Sequence, residues 1–164
     1  MFENELVVLH WDDARRDDNQ IRVHVEGEPD PAAIVPLDDS HEHSALIDIT
    51  LKGPAPLTPE SPPEPQFYPN IPIELLLDND RLIVQRVQIA PDQWEGVHSH
   101  PGNQVFIHIH GGRWRAREDG QPTGPIVHRE PGDAGWMGEI GLDEGHEYGN
   151  VGDTTIDLVW ITLK

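Results

Sequence analysis

The stretch "GVHSHPGNQVFIHIHGG", residues 96–112, carries two His-x-His pairs ten residues apart: His98 with His100, and His108 with His110. In extended backbone, side chains two residues apart project to the same side. Two imidazoles on one face, just ahead of a turn, can grip one metal ion. A third is needed, and His146 in "EGHEYGN" is the best candidate, since it follows a glycine- and acid-rich loop and precedes a strand. Gln104 lies four residues after His100, across the "HPG" turn, and a chain folding back there brings its side chain towards the same point. Phe106 and His108 share strand parity with Gln104, so an inward Gln104 implies an inward His108. His110 has the same parity but abuts the "GG" turn, which places it at a rim. His41 and His43 in "DDSHEHS" repeat the spacing, but read as a solvated turn.

Strands must position these residues. "ELVVLHW" (5–11), "QIRVHV" (20–25) and "ALIDITL" (45–51) are rich in aliphatic and β-branched residues. In the last, Ala45, Ile47, Ile49 and Leu51 share one face. The segment 53–72 holds eight of the sixteen prolines, so it is neither helix nor central strand and reads as an extended surface connector. Further strands are predicted at 73–77, 81–90, 104–110, 113–117, 125–129 and 155–163, separated by Gly, Pro and Asp turns. No segment has a long helical period. Many short, evenly spaced strands indicate an antiparallel sandwich or barrel. We therefore expect an N-terminal extension over 1–72 and a barrel over 73–164.

Composition narrows the function. Thirty acids against eleven bases give a net charge of −19, a surface that repels nucleic acid and anionic membranes. Only Lys52 and Lys164 are lysine. The chain has no cysteine, which excludes disulfides and thiolate metal sites and makes a cytoplasmic location the expectation. No apolar run approaches the ~20 residues a membrane-spanning helix needs. The opening "MFENELVVLHWDD" lacks a basic start and a cleavage site, so no secretory signal is expected there.

Residues 73–164 resemble the cupin family. Its first motif reads roughly G-x5-H-x-H-x3,4-E-x6-G, matched here by His98, His100, position 104 and Gly111. Its second, roughly G-x5-P-x-G-x2-H-x3-N, is matched by His146 and Asn150. Gly96 lies too close to His98 to open the first motif, and Gly141 and Asp143 replace the Pro and second Gly of the second. The resemblance implies an all-β fold, a cupin-type jelly-roll β-barrel with an N-terminal strand-rich extension. It implies one divalent transition metal ion (Fe, Ni, Zn, Cu or Mn) on His98, His100, His146 and the residue at 104. That residue is glutamate in most of the family and Gln104 here, the informative departure. Neutral glutamine binds a metal more weakly and cannot accept a proton, so a general base must come from elsewhere. His108 is the candidate catalytic residue.

Phe106, Trp94, Trp136 and Tyr148 are candidates to line an apolar substrate pocket. Glu147 and Tyr148 are the polar residues nearest His146 in sequence. Arg113, Arg115 and Arg117 alternate onto one strand face, read as solvated or as a partner contact. The expected function is a metal-dependent enzyme on a small organic substrate, an oxidoreductase of dioxygenase type. A lyase, isomerase or cyclase and a non-enzymatic ligand-binding cupin are the alternatives. The extension is expected to add strands to the barrel or exchange with a partner, giving a homodimer whose sheet edges are covered.

Overall fold

The computed structural model describes residues 1–3, 7–13, 19–37, 44–52, 64–141 and 144–164. His41, His43, Asp143 and the connector segment 53–63 lie outside the described residues. The chain divides into two compact units, Met1–Leu57 and Thr58–Lys164. All regular elements among the described residues are strands. No helix there is long and apolar enough to cross a membrane.

The first unit is one five-stranded sheet. Its strands are β1 (Phe2–Glu3), β2 (Val7–Asp13), β3 (Gln20–Val25), β4 (Ala33–Pro36) and β5 (Ala45–Leu51), in spatial order β1-β2-β5-β3-β4. β5 alternates as its sequence dictates: Ala45, Ile47, Ile49 and Leu51 are buried, with half-buried residues between them. β3 runs parallel to β5, and the other pairings are antiparallel. These strands pair with one another as a sheet of their own, rather than extending a barrel sheet as expected.

The second unit holds the barrel. Strands β6 (Ile73–Asp78), β7 (Leu82–Ile89), β8 (His100–His110), β9 (Gly112–Glu118), β10 (Gln121–Arg129), β11 (Ala134–Ile140), β12 (Tyr148–Asn150) and β13 (Ile156–Leu163) form two antiparallel sheets. One has the order β11-β8-β13-β7-β6, the other β10-β9-β12. This is the all-β two-sheet barrel that the cupin resemblance implied. β13, central in the larger sheet, is buried along its whole length; six of its eight residues are apolar, and the two polar ones, Asp157 and Thr162, are hydrogen-bonded. The core joins Tyr68, Ile71, Val87, Ile89, Ile156, Leu158 and Trp160. Tyr68 and Ile71 come from the end of the proline-rich stretch, so the part of it beyond residue 63 packs into the barrel rather than lying over its surface. Gln66 fastens that part: its backbone N–H donates to Gln85 Oε1 at 2.6 Å, and Gln85 Nε2 donates to its carbonyl at 3.0 Å.

Two features of the second unit bear directly on the site. Residues 92–98 run antiparallel to 146–150, through the bridges Trp94↔Gly149 and His98↔His146. And β8 does not fold back at "HPG". It continues as one strand, with Gly102 (φ 77°) and Asn103 (φ 49°) forming a bulge opposite the register shift between Met137 and Glu139.

Candidate metal centre and its cavity

Backbone pairing sets the first two imidazoles face to face. His98 N–H donates to the His146 carbonyl at 3.0 Å, and His146 N–H donates back at 3.1 Å. His100, at the start of β8, completes the group. The three Nε2 atoms stand 3.0–3.1 Å from one another. His98 and His100 are buried, and His146 is half-buried.

Protonation follows from the far ring nitrogens. His98 Nδ1 donates to the Gly96 carbonyl at 2.8 Å, and His100 Nδ1 donates to Gln104 Oε1 at 2.7 Å. In a neutral ring a donating Nδ1 leaves Nε2 as a bare lone pair. Burial lowers His98 and His100 to about 4 and lowers His146 as well, so all three rings are neutral near pH 7. The His98 and His100 lone pairs therefore face each other at 3.1 Å with no proton between them. That arrangement is repulsive alone and favourable around a cation. The residues thus fit a divalent transition metal, for which neutral imidazole is a suitable ligand. His98, His100 and His146 would hold it.

Gln104 does not join them as a fourth ligand. It is fully buried, and its amide is committed on both sides: Oε1 to His100 Nδ1, and Nε2 to Thr162 Oγ1 at 2.9 Å. Its oxygen touches the side of the ring opposite the converging Nε2 atoms. The glutamine therefore orients His100 and fixes its tautomer. The second motif's Asn150 also has a structural task. Buried, it donates to the carbonyls of Ile89 (2.8 Å) and Thr154 (2.7 Å) and tethers the turn before β13.

A group that sequence reasoning passed over stands beside the triad. Glu95 is 3% exposed, and its Oε2 is 3.9 Å from His98 Nε2. Burial raises its carboxyl to about 8, partly offset by a backbone hydrogen bond at Tyr148. The buried Tyr68 phenol faces it, pushed up by burial and by Glu95, and the Tyr68 ring packs on His98 at 4.4 Å between centroids. The missed signal was parity. Trp94 and Glu95 are neighbours on an extended segment, so only one can face inward. Trp94 turns outward, with the Arg117 guanidinium 4.3 Å from its ring centroid. Glu147 also faces away from the triad, into a two-pronged ion pair with Arg117.

A cavity of about 370 Å³ opens between the two sheets onto the triad. Phe106, His108 and Tyr148 line it, as their sequence positions suggested. Trp94 and Trp136 do not. Met137, the neighbour of Trp136 on β11, takes the inward position, so parity sends Trp136 to the other face. Trp114 and Trp160 supply the indole walls instead. His108 is buried and held at about 4, first by desolvation and then by the nearby Arg129 cation. His110 turns aside to donate from Nδ1 to the Thr155 carbonyl at 2.9 Å.

No family model and no curated protein matches the chain. Solved structures do match, and cupin-domain proteins recur among them. The chain is similar to a cupin domain from Bordetella pertussis Tohama I, at 21% identity and a TM-score of 0.49, covering 59% of this chain and 96% of that one. It is similar to the polyketide cyclase RemF from Streptomyces resistomycificus at 14% identity and a TM-score of 0.44, covering 60% of this chain and 68% of that one. It is also similar to the DMSP lyase DddQ from Ruegeria pomeroyi at 13% identity and a TM-score of 0.43, covering 58% of this chain and 47% of that one.

Proposed function

We propose that the second unit is a metal-dependent cupin enzyme that binds one divalent transition metal ion and acts on a small organic molecule by proton transfer, as a lyase, isomerase or cyclase. The observation that carries the metal is the convergence of three neutral imidazoles whose Nε2 atoms lie 3.0–3.1 Å apart. The choice of reaction class rests on Glu95 and Tyr68. They put a carboxyl and a phenol beside the triad, inside a cavity walled mainly by aromatic and aliphatic side chains.

A divalent ion at the triad would supply Lewis acidity to a substrate oxygen. The remaining work falls to this chain's own side chains. Glu95 Oε2, 3.9 Å from His98 Nε2, holds or takes the proton that moves. Tyr68 faces that carboxyl from the cavity wall and limits its contact with water. Trp160 packs on His100 at 5.1 Å and on Phe106 at 5.5 Å between centroids, forming an aromatic wall against which a small substrate is oriented. Gln104, a neutral amide that is neither acid nor base, does not react.

The test follows product formation and dissolved oxygen in one vessel, with metal-loaded protein and a panel of small organic acids. The expected result is product without oxygen uptake, and a rate at least about a hundredfold lower in Glu95→Gln with metal content unchanged. Oxygen consumed in step with product would move the assignment to a dioxygenase.

A further inference from the structure

Away from the triad, the cavity carries a second group of polar atoms that the proposed chemistry does not use. Arg129 lies at the end of β10 and lines the cavity, its guanidinium carbon 5.7 Å from the Phe106 ring centroid. Arg86 and Arg117 have carboxylate partners, in Asp157 and Glu147. Arg129 has none within ion-pair distance among the described residues, in a chain of thirty acids and eleven bases. Asp133 is close enough to act on His108, and its carboxylate caps the Glu130 N–H at 2.9 Å. Among the described residues, four polar atoms on the cavity wall are buried without a hydrogen-bond partner: Tyr68 Oη and Trp160 Nε1 beside the triad, and two in this group. His108 is 3% exposed with an unsatisfied Nδ1, and the Trp114 Nε1 donor is likewise buried and unsatisfied. The two rings are 5.7 Å apart between centroids, and both line the same cavity as Arg129.

Buried polar atoms without partners are costly and rare in folded proteins. The two beside the Arg129 guanidinium form a polar group that a ligand of matching chemistry would satisfy. Arg129 and Trp114 offer only N–H donors, and His108 Nδ1 donates in one of its two neutral tautomers, so the matching partner is an acceptor carrying negative charge. Phe106, Leu158, Trp160 and Met137 line the same cavity and offer apolar contact.

We propose that Arg129, His108 and Trp114 form an anion subsite, and that the ligand of the cavity is a small organic carboxylate. Its carboxylate sits at Arg129, its apolar body lies along Phe106 and Trp160, and its reacting end reaches the triad. This assignment of substrate class rests on the reading of the cavity as an active site, but the subsite itself requires no metal. Carboxylates also bind metal ions directly, so the test separates the two.

Calorimetry with benzoate and its neutral isostere benzamide, on EDTA-treated and on zinc-loaded protein, compares the wild type with Arg129→Gln and Arg129→Lys. Zinc affinity is measured in parallel by chelator competition. The metal-free wild type should prefer benzoate by at least about tenfold, the scale of a charge-assisted hydrogen bond. Arg129→Gln should lose that preference while binding benzamide unchanged, Arg129→Lys should keep part of it, and zinc affinity should be the same in all three. Benzamide binding as well as benzoate, no saturable binding of benzoate, or a preference that survives Arg129→Gln would each overturn the subsite. A benzoate preference that appears only with zinc would also overturn it, since the ion would then be holding the carboxylate. A protein that takes up no zinc yet keeps an Arg129-dependent preference would support the subsite and refute the metal site.

Discussion

The two His-x-His pairs have the same spacing and lie on one stretch of chain, yet they do different things. In the first, His98 and His100 bring their Nε2 atoms to 3.1 Å, and His146 meets both across a backbone bridge. Their far nitrogens are held by Gly96 O and Gln104 Oε1. In the second, no third imidazole arrives among the described residues. His108 packs between Phe106 and Trp114, and His110 turns to the Thr155 carbonyl. Spacing alone puts two side chains on one face. A metal site further needs a ligand delivered by another strand and acceptors that fix each ring's tautomer.

What surrounds the second pair is structural, and removing it should have the largest effect on stability. Asp157 pairs in register with His110 and forms a buried two-pronged ion pair with Arg86, at 3.0 and 2.7 Å. Asp157→Ala takes its two-pronged carboxylate away from the buried Arg86, so urea unfolding should show a loss of about 3–5 kcal/mol. Metal stoichiometry of the protein that remains folded should be unchanged.

Gln104 sharpens the contrast at the first pair. Gln104→Ala frees His100 Nδ1, and chelator competition should show metal affinity falling about 10- to 100-fold. Gln104→Glu restores an acceptor at the same distance and should recover most of it.

The smallest effect is a pH profile of the metal-free protein. Burial holds His98, His100 and His108 at about 4, against the ordinary imidazole value of 6.5. Between those values the unfolded chain binds the extra protons, so stability rises with pH. Glu95 has the opposite sign. Held at about 8 against 4.5, it keeps a proton that the unfolded chain releases, and its cost grows over that range. Three histidines outweigh one carboxyl up to about pH 6.5, and above that Glu95 acts alone. The thermal midpoint should climb from pH 4.5 to about 6.5 and then decline towards 8.

The legible parts of this molecule were those that local pattern encodes. β3 and β5 coincide with their apolar runs, and the histidine triad follows from spacing plus a second motif. What escaped depends on non-local packing. β11 carries two glycines and no strong strand signal, because Gly135 lies opposite Phe106 and a Cβ there would come within 2.7 Å of its ring. Tyr68 and Ile71 were hidden by prolines that exclude a strand but permit an extended segment to pack. Glu95 was hidden because residues 92–98 become strand-like only by pairing with 146–150. Gln104 was noticed for the right reason, its neutrality, but its partner is the back of His100 rather than the metal position.

Metal content decides the central claim most directly. Untagged protein and His100→Ala, purified in parallel, would be analysed by elemental mass spectrometry. The triad predicts about one equivalent of Fe, Ni, Zn, Cu or Mn per chain in the wild type, lost in His100→Ala and retained in His108→Ala. A wild type that carries no metal and takes none up on titration, or a His100→Ala protein that keeps its full equivalent, would contradict it.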